Sequence, residues 1–291
     1  MRQAQESDRA QMVEKAVEAT HRQGRPDDGL APLLARYLRH VAVEDLAERD
    51  PIDLAGAVVS HRQLAAHRPQ GTASVRAFTP SVDVNGWSAG HTVVEVVTDD
   101  MPFLVDSVNA ELARQGRAIH LVVHPLILVR RDVTGGLREV LDVDCTEEAL
   151  ADLPRDVTVE SWIHVEIDRE SDRSALDAIA AGVREVLGDV RVAVEDWPRM
   201  RTRARELAAE LEHGVPPGIG EAEAREARQL LDWLADGHFT FIGYREYRLV
   251  HDEGQTRLVA QPGSGLGILR YDQTAASIAL PRICARSVSC A

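Results

Sequence analysis

Residues 91–116 read HTVVEVVTDDMPFLVDSVNAELARQG, and the order of these residues decides the fold class. His91 to Thr98 is a Val-rich run of strand length, suited to a sheet interior. Asp99 and Asp100 then bring side-chain oxygens suited to capping a helix. Pro102 fits a first helical turn, where a missing N–H costs nothing. From there the period changes: Leu104, Val105, Val108 and Leu112 share one apolar stripe, while Asp106, Asn109 and Arg114 lie off it. Gly116 is placed to end the helix in a left-handed cap.

Downstream, Ile119 to Arg131 predicts a second strand whose odd positions, Ile119, Leu121, Val123, Ile127 and Val129, face one core. Pro125 marks a bulge or an edge within it. Thr134-Gly135-Gly136 predicts a hairpin turn into Leu137 to Val143. Val159 to Asp168 alternates, with Val159, Ser161, Ile163, Val165 and Ile167 on one face. Glu160, Trp162, His164, Glu166 and Asp168 fall on the other, as expected of a half-buried strand. A helix from Ser174 to Leu187 follows, closed by Gly188, and Arg191 to Val194 reads as a last short strand. The order is strand, helix, strand, hairpin strand, strand, helix, strand. This is an α+β fold, a ferredoxin-like βαββαβ sandwich with one strand beyond the minimum. Periodicity does not say which middle strand is the extra one.

Upstream, residues 1–75 read as a helical, surface-exposed lead broken by Pro26, Pro32 and Pro51. Residues 76–199 form the sandwich and 200–228 a charged helical linker. Residues 229–291 open a second α/β unit, with a helix over Glu221 to Ala235 and an aromatic-rich strand from His238 to Val250. After the Asp252-Glu253-Gly254 turn, Thr256 to Ala260 continues that unit. Two readings stand for the aperiodic end, which carries Cys284 and Cys290: a frayed tail, or a reading frame cut short as a domain begins. The second is favoured.

Composition narrows the function. The 291 residues carry 33 basic and 47 acidic side chains, a formal net charge of -14 that disfavours nucleic acid. Aromatic residues are only 4%, too few for base-stacking platforms. Lys15 is the single lysine, so Schiff-base chemistry, a P-loop and a lysine base are nearly excluded. Three cysteines without a C-x-x-C pair indicate neither a disulfide framework nor a zinc site. A polar start and no long apolar run make a cytoplasmic protein the expectation, with no membrane partner.

No catalytic constellation stands out, and no metal ligand set is assigned. Pro262 to Gly267 is spaced G-x-G-x-G and reads as a hairpin loop rather than a phosphate loop. His120, His124 and His164, with Glu166 and Trp162 nearby, form a metal or anion site only if their strands pair. Solvated histidines on an open sheet face are the favoured reading. The turn Asp99-Asp100-Met101-Pro102-Phe103 has two readings. It is a plain helix cap, or a seat for an amino acid whose carboxylate meets the helix N-terminus while the aspartates hold its amino group.

The segments VVEVVTDDMPFLVDSVNAEL (93–112), IHLVVHPLILVRRD (119–132), ESWIHVEIDR (160–169) and LLDWLADGHFTFIGYREY (230–247) resemble the N-terminal region of the large bacterial NAD-specific glutamate dehydrogenases. The resemblance spans roughly residues 35–280. It implies an ACT-like, ferredoxin-type module that regulates or assembles an enzyme oxidising L-glutamate to 2-oxoglutarate and ammonia with NAD. The expected partners are an amino-acid effector and further copies of the full-length chain. An autonomous amino-acid-binding module and a homo-oligomerisation scaffold are the alternatives. The catalytic part of that family lies far downstream, so this chain alone is expected to be a truncated, non-catalytic segment that holds no cofactor. In the resemblance Phe103 stands where ACT ligand turns have glycine.

Overall fold

The computed structural model describes residues 2–22, 24, 29–143, 153–154, 156–215, 218–252, 255–271 and 278–279. Cys145, Cys284, Cys290, Pro26 and the expected turn at Glu253-Gly254 lie outside them. The chain divides into two units, Met1–Gly188 and Asp189–Ala291.

The first unit begins with α1 (Arg2–Arg22), α2 (Leu30–Tyr37), α3 (Val43–Ala47) and α4 (Pro51–Ala65). Asp50 caps α4 by accepting a 3.0 Å hydrogen bond from the Ile52 amide, and Pro51 occupies its first turn. Then come β1 (Ser74–Phe78), the single turn α5 (Val82–Asn85), β2 (Thr92–Asp99) and α6 (Leu104–Arg114). They are followed by β3 (Ile119–Val123), β4 (Leu126–Arg131), β5 (Leu137–Val140), β6 (Val157–Ile167) and α7 (Arg173–His213).

All strand pairs of the main sheet are antiparallel, and the order is β1-β2-β6-β4-β5 with β3 also on β6. The expected strand 119–131 is thus two strands. They lie end to end along β6 and are broken at His124-Pro125, where Pro125 lacks an N–H for the ladder. The hairpin through Asp132 to Gly136 is present, and β5 lies at the sheet edge.

Register sorts the two faces. Val97 stands opposite Trp162, Glu95 opposite His164, Val93 opposite Glu166 and Ile127 opposite Glu160. These side chains share the face covered by α1 to α4, where Leu30, Leu34, Leu46, Ala55 and Val58 form one core with Val97, Ile127 and Trp162. The other face carries Val94, Val96, Ile163 and Val165, all fully buried. Val108 and Leu112 of α6 and Ile179 and Val183 of α7 are equally buried. The two helices pack so closely that a Cβ on Gly182 would lie 2.3 Å from Glu111 Oε1.

Two expectations need correction. The lead is no exposed appendage: each Leu or Val it buries contributes about 1.5–3 kcal/mol before chain entropy is counted. β6 is accordingly buried on both faces, not half-buried. Second, Gly188 ends nothing and Arg191 to Val194 is no strand, because α7 runs 41 residues, about 60 Å, through both. The valines at 190, 192 and 194 alternate as in a strand. Yet Val183, Leu187, Val190, Val194 and Trp197 also keep helical spacing, and the glycine costs only about 1 kcal/mol against that continuity.

The second unit holds α8 (Glu221–Trp233), a π-turn over Leu234–His238, and two small antiparallel sheets. These are β7 (Gly243–Tyr244) with β10 (Leu266–Gly267), and β8 (Tyr247–Asp252) with β9 (Gln255–Ala260) and β11 (Ile278–Ala279). The expected strand His238–Val250 is broken: His238 closes the π-turn, Gly243–Tyr244 pairs with β10, and from Tyr247 the chain pairs with β9. Among the described residues, no helix is long and apolar enough to cross a membrane.

Candidate functional site

Asp99 closes β2, and the Asp100 amide bonds the Val159 carbonyl of β6, so the turn leaves the sheet at a fixed point. Met101 and Pro102 carry the chain outward, and α6 starts after Phe103. Neither aspartate caps this helix: no side chain does. Phe103 has φ 72°, and among the described residues it is the one non-glycine with positive φ. A bulky side chain there strains the backbone, and the ring is half-exposed. The turn therefore keeps a glycine-like conformation without its glycine.

Both carboxylates are engaged. Asp99 accepts hydrogen bonds from Arg68 Nη2 at 2.7 Å and from the Gly71 amide at 3.1 Å. Asp100 Oδ1 accepts from the Ser161 hydroxyl at 2.6 Å, and His124 Nε2 lies 3.0 Å from the same Ser161 oxygen. The serine proton goes to the aspartate, so the imidazole must donate to Oγ. That polarity is the reverse of a nucleophile activated by a base. Burial lowers the His124 pKa, against the pull of Asp100.

Beneath the helical lead lies a buried polar layer. Arg49 binds Glu166 through both nitrogens, at 2.5 and 2.8 Å, and His164 Nε2 lies 3.3 Å from Glu166 Oε1. Burial alone would raise the Glu166 pKa, but the bonds from His164 and Arg49 outweigh it and hold the group at about 2. Arg68 and Arg131 together hold Glu160, which also accepts from the Trp162 indole at 3.1 Å. Tyr37 and His61 share a hydrogen bond of 2.8 Å, and burial takes the His61 pKa down to about 4.

The three histidines considered together from sequence are not brought together. His164 is buried under the lead, while His124 meets Ser161. His120 is exposed, bonded to Asp168 at 2.8 Å and stacked on His91 at 4.3 Å. An open, solvated His/Trp face is therefore wrong for His164 and Trp162, which are 2% and 0% exposed. The glycine loop is a turn. A Cβ on Gly267 would lie 2.2 Å from the Ile242 carbonyl oxygen, and the Gly267 amide donates to Asp196 at 2.8 Å. A backbone donor already spent on a carboxylate does not cradle phosphate. Sequence reasoning missed Tyr37, His61, Arg49 and Arg68, because helical spacing places polar residues without naming their partners.

An antiparallel sheet clad by helices on both faces, with a strained strand-to-helix turn, defines an α+β module. A family model described as glutamate dehydrogenase, ACT1 domain, matches residues 33–183. The chain belongs to this family. The NAD-specific glutamate dehydrogenase of Halomonas elongata is 39% identical over 233 residues, covering 80% of this chain and 14% of that protein. That of Pseudomonas aeruginosa is 36% identical over 235 residues, with 81% and 14% covered. That of Mycobacterium tuberculosis is 28% identical over 215 residues, with 72% and 12% covered. The chain thus spans about one seventh of the length of the first two. The family match takes in α3, α4 and most of α2, so that part of the helical cover lies within the family unit, while α1 lies outside the match.

Proposed function

We propose that this chain is the N-terminal regulatory or assembly segment of an NAD-dependent glutamate dehydrogenase. In this reading the whole enzyme oxidises L-glutamate to 2-oxoglutarate and ammonia, and this segment holds neither catalytic machinery nor cofactor. The ACT1 match over residues 33–183 carries the reading, together with the 14% share of the relatives that the chain spans. The order β2, β6, β3/β4, with helices after β2 and β6, supports a ferredoxin-like sandwich. In it β1 takes the outer place beside β2.

The effector site in this proposal is the turn Asp99 to Phe103. The uncapped start of α6 offers amides and a positive dipole end to a carboxylate. Asp100, held by the neutral Ser161 hydroxyl, is the group suited to an ammonium, since Asp99 is already paired with the Arg68 cation.

Two measurements test this. Purified chain assayed for glutamate-dependent NAD reduction is expected to show no turnover, and measurable turnover would overturn the non-catalytic reading. Calorimetry with a panel of amino acids is expected to give heat for one of them, reduced at least tenfold by Asp100→Asn. Absence of heat across the panel removes the effector and leaves assembly.

A further inference from the structure

His61 on α4, Glu95 on β2 and His164 on β6 are 0%, 0% and 2% exposed, and each offers an atom within 4.8 Å of the other two. Their hydrogen bonds assign the tautomers. His61 Nε2 lies 3.0 Å from the Val96 carbonyl, which only accepts, so Nε2 carries the proton and Nδ1 the lone pair. His164 Nε2 faces Glu166 Oε1, an oxygen that Arg49 also holds, so Nε2 is the donor and in the neutral ring Nδ1 carries the lone pair; that nitrogen has no partner. Glu95 Oε2 accepts from Arg76 at 2.5 Å, while Oε1 is buried without a partner. The three residues thus come together in the protein interior with two acceptor atoms, His164 Nδ1 and Glu95 Oε1, that have no partner among the described residues, and a third, His61 Nδ1, that the Tyr37 hydroxyl reaches. Each unsatisfied buried acceptor is a standing penalty on the fold. One cation answers both orphans at once.

We propose that His61, Glu95 and His164 bind a divalent transition-metal ion of the zinc class. Two imidazoles and a carboxylate form a three-ligand set that suits zinc, cobalt or nickel, whereas magnesium and calcium prefer all-oxygen shells. The outer hydrogen bonds are those of metal-bound histidines: each donates its second nitrogen, one to a backbone carbonyl and one to a carboxylate. Glu95 supplies one negative charge, and Arg76 stays on its other oxygen. Metal entry exchanges the Tyr37–His61 hydrogen bond for a metal bond. The ligands come from the helical cover and from two strands, so the ion joins the two layers. The proposal does not depend on the effector reading.

The full chain, purified without a metal-affinity step and stripped with chelator, is titrated with Co²⁺ while visible absorption and bound metal are measured. One Co²⁺ per chain is expected, with a visible d–d band displaced by Zn²⁺ and a raised thermal midpoint. His164→Gln abolishes the band or weakens binding at least a hundredfold. Tyr37→Phe, which removes only the competing hydroxyl, keeps it. His91→Ala/His120→Ala, which removes the exposed stacked pair, also keeps it. No bound metal in the wild-type chain overturns the proposal and assigns a water molecule to the two orphan atoms. Binding unchanged in His164→Gln, or lost in the His91/His120 variant, overturns it equally, and the latter two chains decide the matter if His164→Gln does not fold.

Discussion

Asp99 and Glu160 stand directly opposite each other on β2 and β6, and one guanidinium, that of Arg68, holds both. Like charges at such a position repel, and Arg68, coming down from the lead, offsets this on both residues, with Arg131 as a second cation on Glu160. Arg68 uses Nε and Nη2 on Glu160, Nη2 on Asp99 and Nη1 on the Thr72 carbonyl. Arg68→Lys cannot span these acceptors and is expected to cost about 3 kcal/mol, the scale for breaking a buried pair. Urea unfolding measures this. A loss below about 1 kcal/mol would show that Arg131 alone suffices for Glu160.

Acidification is expected to weaken the fold from pH 6.5 downward. His61 is neutral when folded, with its pKa at about 4, whereas the unfolded chain takes up the proton near 6.5. Between these values the unfolded state binds more protons, so stability rises with pH and is lost on the way down, by roughly 3 kcal/mol in all. Glu166, held at about 2 against an ordinary 4.5, adds a loss in the same direction between those two values. Unfolding free energies at pH 7, 6 and 5 should fall in that order. His61→Gln should flatten the upper arm and leave the lower one. A wild-type chain equally stable at pH 7 and pH 5 would refute this.

Phe103 can be read through two substitutions. Glycine accepts φ 72° without strain, at the expense of chain entropy and part of a half-exposed ring. Valine, branched at Cβ, is the least suited to that region. Phe103→Gly should exceed Phe103→Val in stability by at least about 1 kcal/mol. Equal midpoints in thermal melts would mean that the turn relaxes away from the left-handed region.

Two glycines in helices make a paired test of packing. A Cβ on Gly56 would lie 2.4 Å from Trp87 Cβ and 2.3 Å from its Cγ, and the buried indole has no free end to yield. Gly56→Ala should cost about 1–3 kcal/mol and alter near-ultraviolet circular dichroism. At Gly182 the atoms met are the tips of Glu111 and Gln115, which swing aside, so Gly182→Ala should lie within about 1 kcal/mol of wild type. The reverse order would contradict the packing described.

The strand-to-helix passage around Asp99 was legible because two periods meet there and the apolar stripe of α6 is unbroken. β6 shows the limit of such reading. Its alternation was visible, but a face bearing Glu160, His164 and Glu166 looks solvated until Arg68, Tyr37 and Arg49 are seen to close over it. Those partners lie some ninety or more residues upstream, and no local period encodes a pairing at that range. α7 failed for the opposite reason: Val190 to Val194 satisfies both periods, and only the surrounding helix decides between them. The turn residues were found, yet their engagement was not. Which carboxylate meets Arg68 and which meets Ser161 depends on strand register.

The layer of helices over the sheet also governs where such a module can be cut and rejoined. A recombination point placed just before β1 would strip the cover from Glu95, Glu160, Glu166 and Trp162 together. The offspring would inherit a sheet with bare carboxylates and an exposed indole. Lead and sheet therefore have to travel together in any chimera that is to keep these carboxylates covered, and a joint between them is expected to yield an unstable chain.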